Sequence, residues 1–261
     1  MTSVSFDHAA DIYDATRALP PEVARALTQA LMGELEAARA TSVLEVGVGT
    51  GRIARPLAER GPRVCGVDIA PRMIARLREQ LGPQHVGPDL LLGDATALPF
   101  ADGAFRAAIM VHVLHLVSSA ERALGELRRV LEPGGVFLHP IADYPGENPW
   151  TITRRKSEEL LRELGVVTRK RPERADIHAM LGSLGASLRT EEVAEIDEES
   201  TPASWLERTR DRIDSWSWEV PDEVFPTFYT RYEQWNREHF GDLERVYVQK
   251  AVHKVEVWSF P

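Results

Sequence analysis

The chain has a single cysteine, Cys65, in 261 residues. No internal disulfide can form, and nothing in the thiol content implies an oxidising compartment. Its setting, VCGVD, suits a small buried strand residue better than a nucleophile. Basic residues are also in deficit: 31 Lys and Arg against 40 Asp and Glu leave a formal charge of -9. That balance argues against a nucleic-acid face, which is normally basic. The local run Arg169-Lys170-Arg171 reads as a solvated helix end. No apolar stretch approaches the ~20 residues that cross a bilayer, and MTSVSFDHAA lacks the charged start and apolar core of a secretory signal. Together these absences predict a cytoplasmic protein with no membrane span, no nucleic-acid partner and no metal site.

One further absence is local. Residues 43–51 read VLEVGVGTG, and Arg52 follows. The dinucleotide fingerprint G-x-G-x-x-G would place its third glycine at Arg52. Here it comes one residue early, as Gly51, so the loop resembles a dinucleotide site without matching it.

What is present is a strand–helix rhythm over residues 40–141. SVLEVG, RVCGVD, DLLLGD, FRAAIMV and GVFLHP are short apolar runs that suit parallel strands covered on both faces. Between them RIARPLAERG, PRMIARLREQLG and AERALGELRRVLEPGG carry apolar residues at helical spacing, the last two ending in Gly as helices often do. The alternation predicts an α/β fold: a parallel sheet with helices on both faces, its ligand site at the strand C-terminal ends. Residues 1–39 form a separate N-terminal helical segment in which Pro20-Pro21 opens a helix to about Ala38. Residues 142–261 contain SEELLRELG and ADIHAMLGSLG as helices, ASLRTEEVAEI as a strand, and RVYVQKAVHKVEVWSF as a final β-rich stretch. A helical, aromatic cap is expected at about 201–240, through WLERTRDRIDSWSW and FPTFYTRYEQWNREHF. All six tryptophans (150, 205, 216, 218, 235, 258) lie outside 40–141, either packing the cap or lining a pocket for an apolar acceptor.

The residues around the loop narrow the ligand. Gly47, Gly49 and Gly51 let backbone pass close to it with no Cβ in the way. Glu45 is a poor neighbour for a pyrophosphate and a good one for a cation, unless it is bound to local amides. Asp68 closes the next strand, where a carboxylate accepts from two adjacent ribose hydroxyls. Asp94 closes the third, where it would accept from an adenine amine while Ala95 offers its N–H to a ring nitrogen. Either aspartate would equally cap the following helix.

The assembled pattern resembles the class I S-adenosylmethionine-dependent methyltransferases, most closely the ubiquinone- and menaquinone-biosynthesis-type and small-molecule branch. The residues that carry it are VLEVGVGTGR (43–52), VCGVDIAPRMI (64–74), LLLGDATALPFADGAFRAAIMVHVLHLV (90–117) and LRRVLEPGGVFLH (127–139). The resemblance implies a Rossmann-like, mostly parallel seven-stranded sheet and S-adenosyl-L-methionine as cofactor. It places Gly47 and Gly49 along the methionine part, Glu45 near its ammonium and Asp68 on the ribose. Ile69 and Met73 would border the adenine, and Asp94 and Ala95 would read its edge. Val111 and His112 would touch the methionine part through backbone atoms. Tyr13 and Arg17, in IYDATR, look like a family segment that folds over the cofactor, with Arg17 pairing its carboxylate unless it is simply a surface residue. Val48 departs from the small residue or Cys usual there, which alters the pocket wall.

Methyl transfer from a sulfonium needs alignment, exclusion of water and, for some acceptors, removal of a proton. His112 and His115 sit where the methyl should point, and either would serve as a base or simply pack; Asp143 and Tyr144 are further candidates. The cap would lie over the acceptor side. The expected function is transfer of a methyl group to a small-molecule acceptor. An NAD-dependent oxidoreductase and a non-catalytic cofactor-binding module remain as alternatives. The acceptor, its attacking atom and the oligomeric state stay open.

Overall fold

A computed structural model describes residues 2–81, 87–146 and 148–261. The apolar runs form β1 (Ser42–Val46), β2 (Arg63–Asp68), β3 (Asp89–Leu92), β4 (Phe105–Met110) and β5 (Leu131–Asp143). With β6 (Ser187–Ser200) and β7 (Tyr247–Ser259) they make one seven-stranded sheet in the order β3-β2-β1-β4-β5-β7-β6. The ladders joining β1 through β5 are all parallel. Strand order reverses between β1 and β4, the place where open α/β sheets leave a crevice for ligands.

Nine α-helices accompany the described strands: α1 (Tyr13–Arg17), α2 (Pro21–Ala37), α3 (Ala54–Ala58), α4 (Pro71–Leu81), α5 (Ala120–Val130), α6 (Pro149–Glu163), α7 (Arg174–Ser183), α8 (Pro202–Arg210) and α9 (Phe225–Phe240). The pleat sends alternate strand residues to opposite faces. Leu44, Val46, Ala108, Met110 and Phe137 pack with Leu124 and Leu127 of α5 and Leu181 of α7. Val43, Ala107, Ile109 and Leu138 pack with Leu31 of α2, Leu57 of α3 and Leu77 of α4. Both faces of the sheet are therefore covered, which is why the strands read as continuous apolar runs.

The chain divides into two compact units. One comprises Met1–Ala142, Arg171–Ala194 and His253–Pro261, and the other Asp143–Lys170 and Glu195–Val252. The second has its own core: Leu160 and Leu161 of α6, Leu206 of α8, and Phe228 and Tyr232 of α9, with Trp216 and Val220. Trp205 and Trp216 are buried within this unit, while Trp258 belongs to the core of the first.

Two helices end earlier than their spacing predicts. AERALGELRRVLEPGG is not helical to its glycines: α5 stops at Val130, and Leu131 is already extended. Pro133 explains this, since proline disfavours the helical conformation in the residue before it. Gly134, at φ 72°, instead serves an irregularity in β5, where Phe105 pairs with Leu131 but Ala107 pairs with Val136. Likewise α8 ends at Arg210, and Arg212 adopts φ 50°. That turn is held by tertiary bonds: Trp218 Nε1 donates to the Arg212 carbonyl at 2.6 Å, and Arg212 donates to Asp222 at 2.7 Å. The glycine expected to end α4 is residue 82, outside the described residues.

Candidate cofactor site

The site grows from the turn after β1. Gly47 leaves the strand at φ 79°, and its amide donates to the Val67 carbonyl at 2.7 Å. A Cβ on Gly47 would lie 2.3 Å from Val113 Cγ2, so only glycine lets the loop approach the chain leaving β4. Gly51, at φ 83°, is equally closed in, by Leu77. Gly49 differs: at φ 53° its added Cβ would meet only Tyr13, at 4.0 Å.

Asp68, at the end of β2, is tied to this loop. Its Oδ2 accepts from the Gly49 amide and its Oδ1 from the Ala70 amide, both at 2.8 Å. Burial raises its pKa, partly offset by those two amides. The Ile69 amide also donates to this carboxylate, and the acceptor capacity that remains suits a ribose hydroxyl.

Glu45 is buried one residue before the end of β1, at 3% exposure. It receives a hydrogen bond from the Ala54 amide at the start of α3, yet Oε2 has no partner and is sealed from water. Burial pushes its carboxyl up to about 8, against the pull of Arg52. A buried acceptor without a donor is costly. This one is suited to a ligand that brings a cation or an N–H.

The N-terminal segment is fastened to the same loop. Thr50 donates to Asp14, Arg52 donates to the Arg17 carbonyl, and Gln80 donates to Asp14 at 2.7 Å. Tyr13 stacks edge-on to Phe6 and packs with Ala10, Ala70 and Met73. Met73 is consequently buried, and Ile69 half-buried beside it. Tyr13 and Arg17 both act electrostatically within this cluster, and burial raises the Tyr13 hydroxyl.

Asp94 holds its own turn rather than a helix. Oδ1 accepts from the Thr96 amide and hydroxyl at 2.8 and 2.9 Å, and Oδ2 from Ser3 Oγ at 3.0 Å. Burial raises its carboxyl, but these donors outweigh it and bring it below the usual range. Ser3 also accepts from the Ser118 amide at 3.0 Å, a clamp from the chain start that sequence reasoning missed. Ala95, next to Asp94, is buried.

Beyond β4, Val111 is half-buried and His112 takes φ 56°, a left-handed conformation uncommon for a non-glycine residue. His112 is exposed at the surface of the chain leaving β4, and desolvation pushes its imidazole down to about 4, helped by Arg52 and His139. His115 is pushed down to about 3, by burial first and then by His112. Both stand neutral at physiological pH and accept protons weakly. Asp143 and Tyr144 fall in the second unit, where Tyr144 hydrogen-bonds Glu198.

A second polar cluster was not anticipated. Glu256 of β7 is fully buried. It takes Arg174 Nε and His178 Nε2 on Oε1, each at 2.7 Å, and His139 Nδ1 on Oε2 at 3.2 Å. The only sequence signal is a charged residue inside an apolar strand, VEV at 255–257.

A family model described as a methyltransferase domain matches residues 44–139. The demethylmenaquinone methyltransferase of Thermus thermophilus is 43% identical over 105 residues, 40% of this chain and 47% of that one. The demethylmenaquinone methyltransferase of Renibacterium salmoninarum is 31% identical over 166 residues, 63% of this chain and 68% of that one. The chain belongs to the class I S-adenosylmethionine-dependent methyltransferase family.

The cofactor of this methyltransferase family chain is S-adenosyl-L-methionine. Its fold is matched by magnesium protoporphyrin IX methyltransferase from Synechocystis PCC 6803 with bound SAH, at TM-score 0.53 and 16% identity, over 96% of this chain and 95% of that one. The chain spans about half the length of two curated relatives it matches, 47% and 49%. The residues present fit the cofactor: the unpartnered Glu45 Oε2 suits an ammonium, the open face of Gly49 admits close approach, and Asp68 suits a diol. No helix among the described residues is long and apolar enough to cross a membrane.

Proposed function

We propose that this chain transfers a methyl group from S-adenosyl-L-methionine to a small-molecule acceptor. One observation carries the reading against a dinucleotide enzyme: the buried, partnerless Glu45 Oε2 beside the glycine loop. A pyrophosphate would find no counter-charge there, whereas an ammonium would ionise the carboxyl and be held by it. Arg52, where a dinucleotide loop needs its third glycine, instead reaches the Arg17 carbonyl and closes the N-terminal segment on the loop.

In this reading Glu45 orients the methionine ammonium, Gly47, Gly49 and Gly51 shape its channel, and Asp68 holds the ribose. Ile69 and Met73 border the adenine, whose edge Asp94 and Ala95 read. Tyr13 and Arg17 cover the site, and Val111 and His112 offer backbone contacts. The cofactor supplies a methyl group already activated on a sulfonium, so the protein's work is positioning and exclusion of water. Trp150, Trp218 and Trp235 remain only half-buried, which supports an apolar acceptor. The names of the two demethylmenaquinone relatives and the net charge of -9 support a small molecule over a nucleic acid. The single cysteine supports a cytoplasmic setting.

The test is a screen of extract metabolites with methyl-labelled S-adenosylmethionine. The expected result is one or a few small molecules gaining a single labelled methyl group, with equal S-adenosylhomocysteine released. Firm S-adenosylhomocysteine binding with no labelled product would instead identify a binding module.

A further inference from the structure

Three histidines and a carboxylate lie around the carboxyl edge of the sheet, and their surroundings differ. Desolvation and neighbouring cations keep His112 and His115 neutral. His139 is backed by Glu256, which burial would push up but which His139, His178 and Arg174 bring down to about 2. A side chain ionised throughout the physiological range thus stands behind His139 Nδ1.

Register fixes where His139 stands. Val46 pairs with Met110, and Ile109 pairs with Leu138, so His139 follows in the row that contains Val46 and Met110. That row lies just under Gly47. Strands are about 4.8 Å apart, which sets His139 about 10 Å across the sheet from the glycine loop, on the β4 side of the crevice. His139 is also close enough to His112 to act on it electrostatically. With Nδ1 engaged by Glu256, Nε2 has no hydrogen-bond partner among the described residues, and it is not sealed from solvent. Phe137 stacks on the ring at 5.5 Å and fixes its plane. A purely architectural ion cluster, joining α7 to the sheet, is already complete with Arg174 and His178 on Glu256.

We propose that His139 takes the proton from the methyl acceptor, and that Glu256 positions its ring and stabilises the imidazolium. The inference rests on the methyltransferase reading above and adds the acceptor class: a nucleophile that arrives carrying its proton, such as a phenol or an enol, rather than one already anionic. The acceptor's X–H proton passes to Nε2 and its bonding pair forms the X–CH3 bond. The pair of the broken carbon–sulfur bond returns to sulfur, which becomes neutral, and the imidazolium then releases its proton to solvent. Arg174 and His178 on α7 face Glu256, and His112 after β4 feels both His139 and His253 of β7.

The experiment compares wild type, His139→Gln and Glu256→Gln, using labelled S-adenosylmethionine with the metabolite fraction that wild type methylates. S-adenosylhomocysteine binding is measured in parallel. A glutamine at 139 keeps a polar amide near the place of Nε2 but accepts no proton. Its kcat is expected to fall roughly 100-fold or more, in the range of general-base effects, with S-adenosylhomocysteine affinity within about threefold. Glu256→Gln is expected to lower kcat and move the acid limb of its pH profile about one unit lower, because the imidazolium loses its counter-charge. Turnover of His139→Gln within about threefold of wild type overturns the proposal, as does an unmoved acid limb or a parallel loss of cofactor affinity. Absence of any labelled product with wild type would overturn the methyltransferase reading itself, a separate outcome. If His139→Gln does not fold, imidazole nitrogen NMR of the wild-type S-adenosylhomocysteine complex decides. A His139 titration that coincides with the acid limb supports the role, and one that does not coincide overturns it.

Discussion

Asp68→Ala is expected to weaken S-adenosylhomocysteine binding about 100-fold or more in a calorimetric titration. The carboxylate has two tasks. It fixes the loop through the Gly49 and Ala70 amides, both at 2.8 Å, and it offers its remaining acceptor capacity to the ribose. Hydrogen bonds to a charged group contribute about 1.5–3 kcal/mol each, and about 1.4 kcal/mol is tenfold in affinity. Losing the pair therefore reaches the hundredfold range even without strict additivity. Asp68→Asn is expected to fall between wild type and alanine. Its amide accepts from one backbone N–H but turns its own NH2 against the other, so rescue is partial. Unchanged affinity in a folded alanine variant would reduce Asp68 to a turn-forming residue.

Glu45→Gln is expected to weaken binding by about 2 kcal/mol or more, the scale of losing one partner of a buried, hydrogen-bonded charge pair. It should also change the proton balance. In the cofactor-free protein burial raises the Glu45 carboxyl from 4.5 to about 8. A folded-state pKa above the unfolded value means the folded chain binds the extra proton. Its stabilising contribution is full below about pH 4.5 and is lost as pH rises toward 8. An ammonium placed on Oε2 favours the ionised form, so binding near pH 7 should release up to one proton and tighten as pH rises to 8. Titrations in phosphate and in Tris, whose ionisation heats differ, read that proton directly. Glutamine cannot release it. Equal apparent enthalpies in both buffers, with glutamine binding as well as wild type, would leave Glu45 only its bond to the Ala54 amide.

The parts of this molecule that were legible in sequence are those set by local chemistry. Strand ends and the crevice follow from apolar runs closed by Gly47, Asp68 and Asp94, and the Pro20-Pro21 start of α2 follows from the fixed φ of proline. The end of α5 is not legible from the glycine pair, which has the form of a helix terminus, because Pro133 already stops the helix before it. The end of α8 depends on Trp218 and Asp222 reaching Arg212, contacts that helix periodicity does not carry. His139 and Glu256 are 117 positions apart, and Ser3 and Asp94 are 91 apart. Sheet order brings the first pair together and the N-terminal clamp the second. No spacing rule announces either.

The central claim is that the crevice beside Gly47 takes a cationic sulfonium amino acid nucleoside and not a dinucleotide. The most direct measurement is a calorimetric titration of the whole chain with S-adenosylmethionine and with NAD, followed by each in the presence of the other. Saturable binding of S-adenosylmethionine at one site per chain, undiminished by millimolar NAD, is the expected result. Saturable NAD binding that S-adenosylmethionine displaces would contradict it.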